Sequence, residues 1–122
     1  KDVAEIFMQE LRNERRELAK LIILNNKNVI IKIKDISFGG QNFVMIEPKE
    51  IFTDVIKMQA QRIILIHNHP SGDPTPSKED IILTRRVNEA SRLLGISFLD
   101  HIIIGNNNYE SIFAIMRKKG LF

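Results

Sequence analysis

The sequence contains no cysteine. That removes any disulfide frame, any thiolate metal site and any cysteine nucleophile. It also fits a reducing compartment, so a cytoplasmic location is expected. No apolar run approaches the roughly 20 residues of a membrane span, and no signal-peptide pattern opens the chain. There are no internal repeats and no low-complexity segment. A strong charge of one sign is missing too. The 18 basic and 15 acidic residues leave a net charge of only +3, less lopsided than in a dedicated nucleic-acid binder. Arg12, Arg15 and Arg16, then Arg85, Arg86 and Arg92, then Arg117, Lys118 and Lys119 read as solvated surface rather than a phosphate track. The chain does not begin with Met, and its first residues already have a helical spacing. One domain excised from a longer protein is expected, with 122 residues to build a real core.

The apolar periodicity gives the elements. Val3, Ile6, Phe7 and Leu11 predict a helix from Asp2, as N-cap, to about Arg16. Leu18 to Leu24 predicts a buried strand, and Asn25 to Asn28 a turn, so Val29 to Ile36 pairs back as a hairpin. Gly39-Gly40 breaks that strand, and Phe43 to Ile46 predicts another. Pro48 suits the first position of a helix to about Ala60, with Ile51, Phe52, Val55, Ile56 and Ala60 inward. Ile63 to His67 predicts the central strand. A helix follows to Gly95, a C-cap glycine, with Ile82, Val87, Ala90, Leu93 and Leu94 as core positions and Ile81 and Leu83 near the first turn. Ser97 to Ile104 and Tyr109 to Ile112 predict strands, and Ile115 to Lys119 a last helical turn. This alternation predicts an α/β domain with helices covering a mixed sheet.

The richest stretch joins the central strand to the long helix: His67-Asn68-His69-Pro70-Ser71-Gly72-Asp73-Pro74-Thr75-Pro76-Ser77-Lys78-Glu79-Asp80. It is a strand–loop–helix crossover, where ligands sit outside the carboxyl ends of sheet strands. Residues two apart on a strand share a face, so His67 and His69 point at one spot. Ser77 and Asp80, three apart, share a helix face. Two imidazoles and one carboxylate leave a fourth tetrahedral position for water, the pattern of a catalytic zinc site. Two alternatives stand beside this. Asp73 is closer in sequence to the histidines, although its turn composition suits backbone bonding. Ser77 and Asp80 also form a capping-box pattern; the rival placement makes Thr75 the N-cap and Pro76 the first helical residue, freeing Ser77 and Asp80 to face the loop. Asp100 and His101 are a polar pair in an apolar strand. Neighbours on a strand face opposite ways, so the pair is left outside the core site; Asp100 either orients a ligand imidazole or makes a strand-end hydrogen bond. The His-x-Glu and Pro-Cys-x-x-Cys motifs of zinc deaminases are absent.

His67-x-His69, seven residues, then Ser77-x-x-Asp80 resembles the JAMM (MPN-plus) metalloprotease motif. The intervening residues resemble the RadC branch of that superfamily. So do Pro48-Lys49-Glu50-Ile51-Phe52, Leu83-Thr84-Arg85-Arg86 and Leu99-Asp100-His101-Ile102-Ile103-Ile104-Gly105; one departure is Lys49, where RadC-like chains more often carry Arg. The similarity runs over roughly residues 14 to 113. It implies a three-layer cytidine-deaminase-like fold, with a mixed central sheet flanked by helices, and an N-terminal helical region in the longer protein. It also implies Zn²⁺ held by His67, His69 and Asp80, Glu17 as the general base upstream, and Ser77 as donor to the oxyanion. JAMM relatives cleave peptide or isopeptide bonds, so a protein or peptide substrate is the expected partner. The family name carries an association with DNA repair. The alternative is a non-catalytic DNA- or protein-binding module with a structural metal site.

The apolar content suffices to fold without a metal, unlike a zinc finger. Adding a chelator should lower the melting temperature yet leave the circular dichroism of a folded α/β domain. Global unfolding by chelator at room temperature would contradict this.

Overall fold

The computed structural model describes residues 2–36 and 46–120. The elements are α1 (Asp2–Leu11), β1 (Ala19–Leu24), β2 (Ile30–Ile36), α2 (Pro48–Lys57), β3 (Arg62–Asn68), α3 (Lys78–Leu94), β4 (Ser97–Ile104), β5 (Tyr109–Ser111) and α4 (Ile112–Lys118). The strands form one mixed sheet in the order β2-β1-β3-β4-β5. β1 is antiparallel to both β2 and β3, β3 is parallel to β4, and β4 is antiparallel to β5.

Alternation along the strands sorts side chains into two layers. Ile22, Leu24, Ile64, Ile66, Ile102 and Ile104 face one way and are covered by Ala4, Phe7 and Leu11 of α1. Ala19, Leu21, Ile23, Ile63 and Leu65 face the other and meet Ile51, Phe52 and Val55 of α2 and Leu83 and Val87 of α3. Met116 of α4 closes over Ile103. Because both faces are covered, the inner strands are continuous apolar runs. The result is the three-layer α/β arrangement expected of a cytidine-deaminase-like domain. Among the described residues no helix is long and apolar enough to cross a membrane.

Several expected details differ. α1 stops at Leu11, and residues 12–18 leave the helix to approach the end of β3. α2 ends at Lys57, where Gln59 turns left-handed (φ 55) and Ala60 N–H caps Val55 O. The Gly39-Gly40 break, the strand from Phe43 and the Asp2 side chain lie outside the described residues. Ile46 is described and is buried outside any strand.

The largest correction concerns the inward face of α3. Ile82, Leu93 and Leu94 are exposed, and Ile56 of α2 and Ile6 of α1 likewise. The buried face of α3 is Asp80, Leu83, Thr84, Val87 and Ser91. Leu83 and Val87 lie on it and Ala90 packs against the same core, but three of the five are polar, so hydrophobicity alone picks out only part of the stripe. Asp80 and Thr84 face inward because they bond to groups on the sheet, described below.

The two faces differ in energy. Leu83→Ala should cost about 2–5 kcal/mol, the usual penalty for emptying a buried leucine site. Leu93→Ala, at 89% exposure, should change stability by less than about 0.5 kcal/mol. Urea unfolding of both variants checks the assignment; equal losses would return Leu93 to the core.

Candidate metal centre

His67 and His69 leave the end of β3 on the same side, as the strand period requires. Their ring centroids are 5.0 Å apart. The chain then turns through Gly72 and re-enters regular structure at α3. The N-cap of α3 is Ser77, not Thr75. Ser77 Oγ accepts from Asp80 N–H at 3.1 Å, and Asp80 Oδ2 accepts from Ser77 N–H at 2.8 Å, a complete capping box. Thr75 instead bonds Asp73, through both its N–H and its hydroxyl. A capping box and a site role are compatible here, because a carboxylate accepts at several positions. Asp80 caps the helix and still presents Oδ1 to His67 Nε2 at 3.2 Å and Oδ2 to His69 Nε2 at 3.0 Å.

Glu17 reaches the same spot from the segment that leads into β1, at the same end of the sheet. The antiparallel register puts Ala19 opposite His67, and the same side of the chain two residues earlier is Glu17. Its Oε2 is 3.4 Å from His67 Nε2 and 3.9 Å from His69 Nε2. Asn68, between the histidines and 1% exposed, holds this segment down. Its Oδ1 accepts from Leu18 N–H at 2.6 Å, and its Nδ2 donates to Arg16 O at 3.0 Å. These bonds clamp both sides of Glu17. Nothing in the sequence marked Asn68 except its place in the His-Asn-His triplet.

One ligand atom from each of Glu17, His67, His69 and Asp80 lies within 4.8 Å of all the others. Zinc bonds of about 2.0–2.1 Å would set tetrahedral ligand atoms roughly 3.3 Å apart. The contacts of 3.2 Å and 3.0 Å from Asp80 to the two histidines, and of 3.4 Å from Glu17 to His67, match that spacing. The donor set therefore fits a metal ion of this type. Burial opposes ionisation of Asp80, yet the bonds from His67 and His69 overcome it and hold its carboxyl far below the usual carboxylate range. The bond to Asp80 raises the pKa of His69 against the effect of its burial, helped by the Asp73 carbonyl.

The outer contacts were mostly invisible in the sequence. His69 Nδ1 sits 3.0 Å from Asp73 O; since a carbonyl only accepts, the ring nitrogen donates there and turns Nε2 to the cluster. The Asp73 carboxylate is engaged with Thr75 and stays outside the four-residue group. The residue that touches a site imidazole from behind is His101, not Asp100. His101 Nε2 is 2.9 Å from His67 Nδ1, and burial pushes the His101 pKa well below its ordinary value. Asp100 instead accepts from Ser111 Oγ, His101 N–H and Phe113 N–H. The signal for His101 was its strand parity with a neighbouring strand, which needs the β3–β4 register. Finally, the loop after His69 is tied to the β4–β5 turn. His69 N–H donates to Ile104 O and Asn106 N–H to Gly72 O. A Cβ on Gly105 would lie 2.4 Å from Gly72 O and 2.8 Å from Pro74 Cδ, so only glycine lets the two segments touch.

The fold and this cluster define an α/β domain with a group of two histidines and two carboxylates able to hold a metal. Comparison with known proteins narrows that class. The family model described as RadC-like JAB domain matches residues 1–121. A UPF0758 protein of Clostridium tetani is 50% identical over 112 residues, covering 92% of this chain and 49% of that protein. A UPF0758 protein of Clostridium botulinum is 47% identical over 119 residues, covering 98% of this chain and 50% of its own length. The chain belongs to the RadC-like JAB domain family. It spans about half the length of the curated relatives it matches.

The Asp80–His69 pair gives the metal-free protein a signed pH dependence. A raised His69 pKa contributes stability fully below its ordinary 6.5, and that stability is lost as pH rises through the raised value. Asp80 acts in a separate window, since its contribution is full above 3.8 and is lost as pH falls below that value toward its depressed pKa. The melting temperature of chelator-treated protein should therefore fall on going from about pH 6 to about pH 9, and Asp80→Asn should flatten the fall. A level wild-type profile would show that the pair does not form in solution.

Proposed function

We propose that this domain is a zinc-dependent hydrolase of amide bonds, acting on a protein or peptide substrate at a peptide or isopeptide linkage. The observation that carries the reading is the convergence of Glu17, His67, His69 and Asp80 within 4.8 Å, in a domain of the RadC-like JAB family. His67, His69 and Asp80 hold the ion. Zinc bound by such donors supplies a Lewis acid for the scissile carbonyl and lowers the pKa of a water. Glu17 is the general base: its Oε2 takes the proton from the attacking water and returns it to the leaving amine. Ser77 completes the set. Its oxygen accepts the capping bond, which leaves the hydroxyl hydrogen to donate to the oxyanion of the tetrahedral intermediate.

The competing reading, a non-catalytic module with a structural metal, fits less well. Structural zinc sites are closed by four protein ligands. Here the Glu17 side chain is 34% exposed and that of His69 15%, so the cluster opens to solvent on the Glu17 side. The absence of cysteine agrees with work in the cytoplasm.

Metal analysis should find about one zinc per chain, lost in His67→Ala, His69→Ala or Asp80→Ala and kept in Asp73→Ala. A peptide-library assay with zinc-loaded protein then seeks the substrate. Glu17→Gln should keep the zinc and lower turnover roughly a hundredfold to ten-thousandfold, the range for a general base. Undiminished hydrolysis by Glu17→Gln would remove the base assignment. Affinity for DNA that falls steeply with salt, without any metal-dependent hydrolysis, would favour the binding module.

A further inference from the structure

Behind His67 lies a chain of bonds that ends on the helix supplying Asp80. His101 stands beside Leu65 in the parallel β3–β4 register, so it shares a sheet face with His67. Its Nε2 is 2.9 Å from His67 Nδ1 and its Nδ1 is 2.6 Å from Thr84 Oγ1. Thr84 Oγ1 donates in turn to Asp80 O at 2.8 Å. His67, His101 and Thr84 are all 0% exposed.

Counting hydrogens gives this chain a direction. The Asp80 carbonyl can only accept, and Thr84 has one hydroxyl hydrogen. With that hydrogen on Asp80 O, Thr84 Oγ1 accepts from His101 Nδ1–H. A neutral imidazole carries one N–H, so His101 Nε2 carries none and accepts from His67 Nδ1–H. When the ion is bound, His67 Nε2, the atom that faces Asp80 and Glu17, then carries no hydrogen. The reverse direction would put a hydrogen on His67 Nε2, aimed at the place a metal must occupy.

We propose that Thr84 and His101 are positioning residues that fix His67 in its metal-binding tautomer, with the Asp80 main-chain carbonyl setting the direction. The proposal rests on the metal reading given above. It makes the two imidazoles equivalent by different means: a carbonyl orients His69 directly, whereas a carbonyl orients His67 through two intervening side chains. Asp80 thus contributes to the centre twice, by its carboxylate and by its main chain.

The test uses zinc-loaded and metal-free wild type, Thr84→Val and Thr84→Ser. Valine keeps the branched shape and removes the hydroxyl; serine restores the hydroxyl. Zinc affinity is read by competition with a chromophoric chelator, and the histidine tautomers by long-range proton–nitrogen NMR of histidine-labelled protein. Thr84→Val should bind zinc about 10–100-fold more weakly, the usual effect of losing an outer partner of a ligand, and Thr84→Ser should recover most of that. In the zinc-loaded wild type both His67 and His101 should carry their hydrogen on Nδ1. A merely structural threonine would alter melting temperature but leave the tautomers alone. His101 protonated at Nε2 in the loaded wild type, or wild-type zinc affinity in Thr84→Val, overturns the proposal while leaving the metal reading intact. Wild type that binds no zinc overturns both. Should Thr84→Val fail to fold, the wild-type tautomer spectrum alone decides.

Discussion

The antiparallel pairing of β1 with β3 is the constraint on which the site depends. Glu17 and His67 are some fifty residues apart, and no local preference brings them together. The register does so, by placing Ala19 opposite His67. A slip of one residue would turn Glu17 toward the opposite layer, under α1. What resists that slip is apolar: Leu21, Ile22 and Ile23 are all fully buried, and a slip would exchange their layers. Asn68 adds a polar lock at the end of the ladder, because its amide reads the main chain on both sides of Glu17. Core packing thus sets the register, and the register sets the acid beside the histidines.

A second economy lies at the start of α3. Helix starts need acceptors for their first N–H groups, and a metal-type cluster needs a carboxylate. Asp80 serves both from one position, since Ser77 N–H and His69 Nε2 share Oδ2 while His67 takes Oδ1. The helix is anchored to the sheet through the same residue. That is why the buried face of α3 is rich in polar groups: Asp80 points inward to His67 of β3 and to His69 just beyond it, and Thr84 to His101 of β4.

The sequence was legible where the relevant contacts were local. His67 and His69 announced themselves by strand period beside a Pro/Gly loop. Pro48 at the start of α2 and Gly95 at the end of α3 follow directly from backbone preferences. Glu17 was legible only through family resemblance, because its neighbours come from strand pairing. Thr84 and His101 were illegible for the same reason, and Leu93 and Leu94 misled because their hydrophobicity outweighed an inward face made of Asp80, Thr84 and Ser91. The capping box and the site role at Ser77 and Asp80 stand as alternatives in the sequence; in the structure they coexist, because one carboxylate accepts from several partners.

The contact of Gly105 with Gly72 and Pro74 has an entropic meaning. It joins the loop carrying His69 to the turn after β4, and two main-chain bonds, His69 to Ile104 and Asn106 to Gly72, rivet the same seam. The loop's ordering entropy is therefore met when the chain folds, not when a ligand arrives. An ion reaching the cluster would meet a loop already in place.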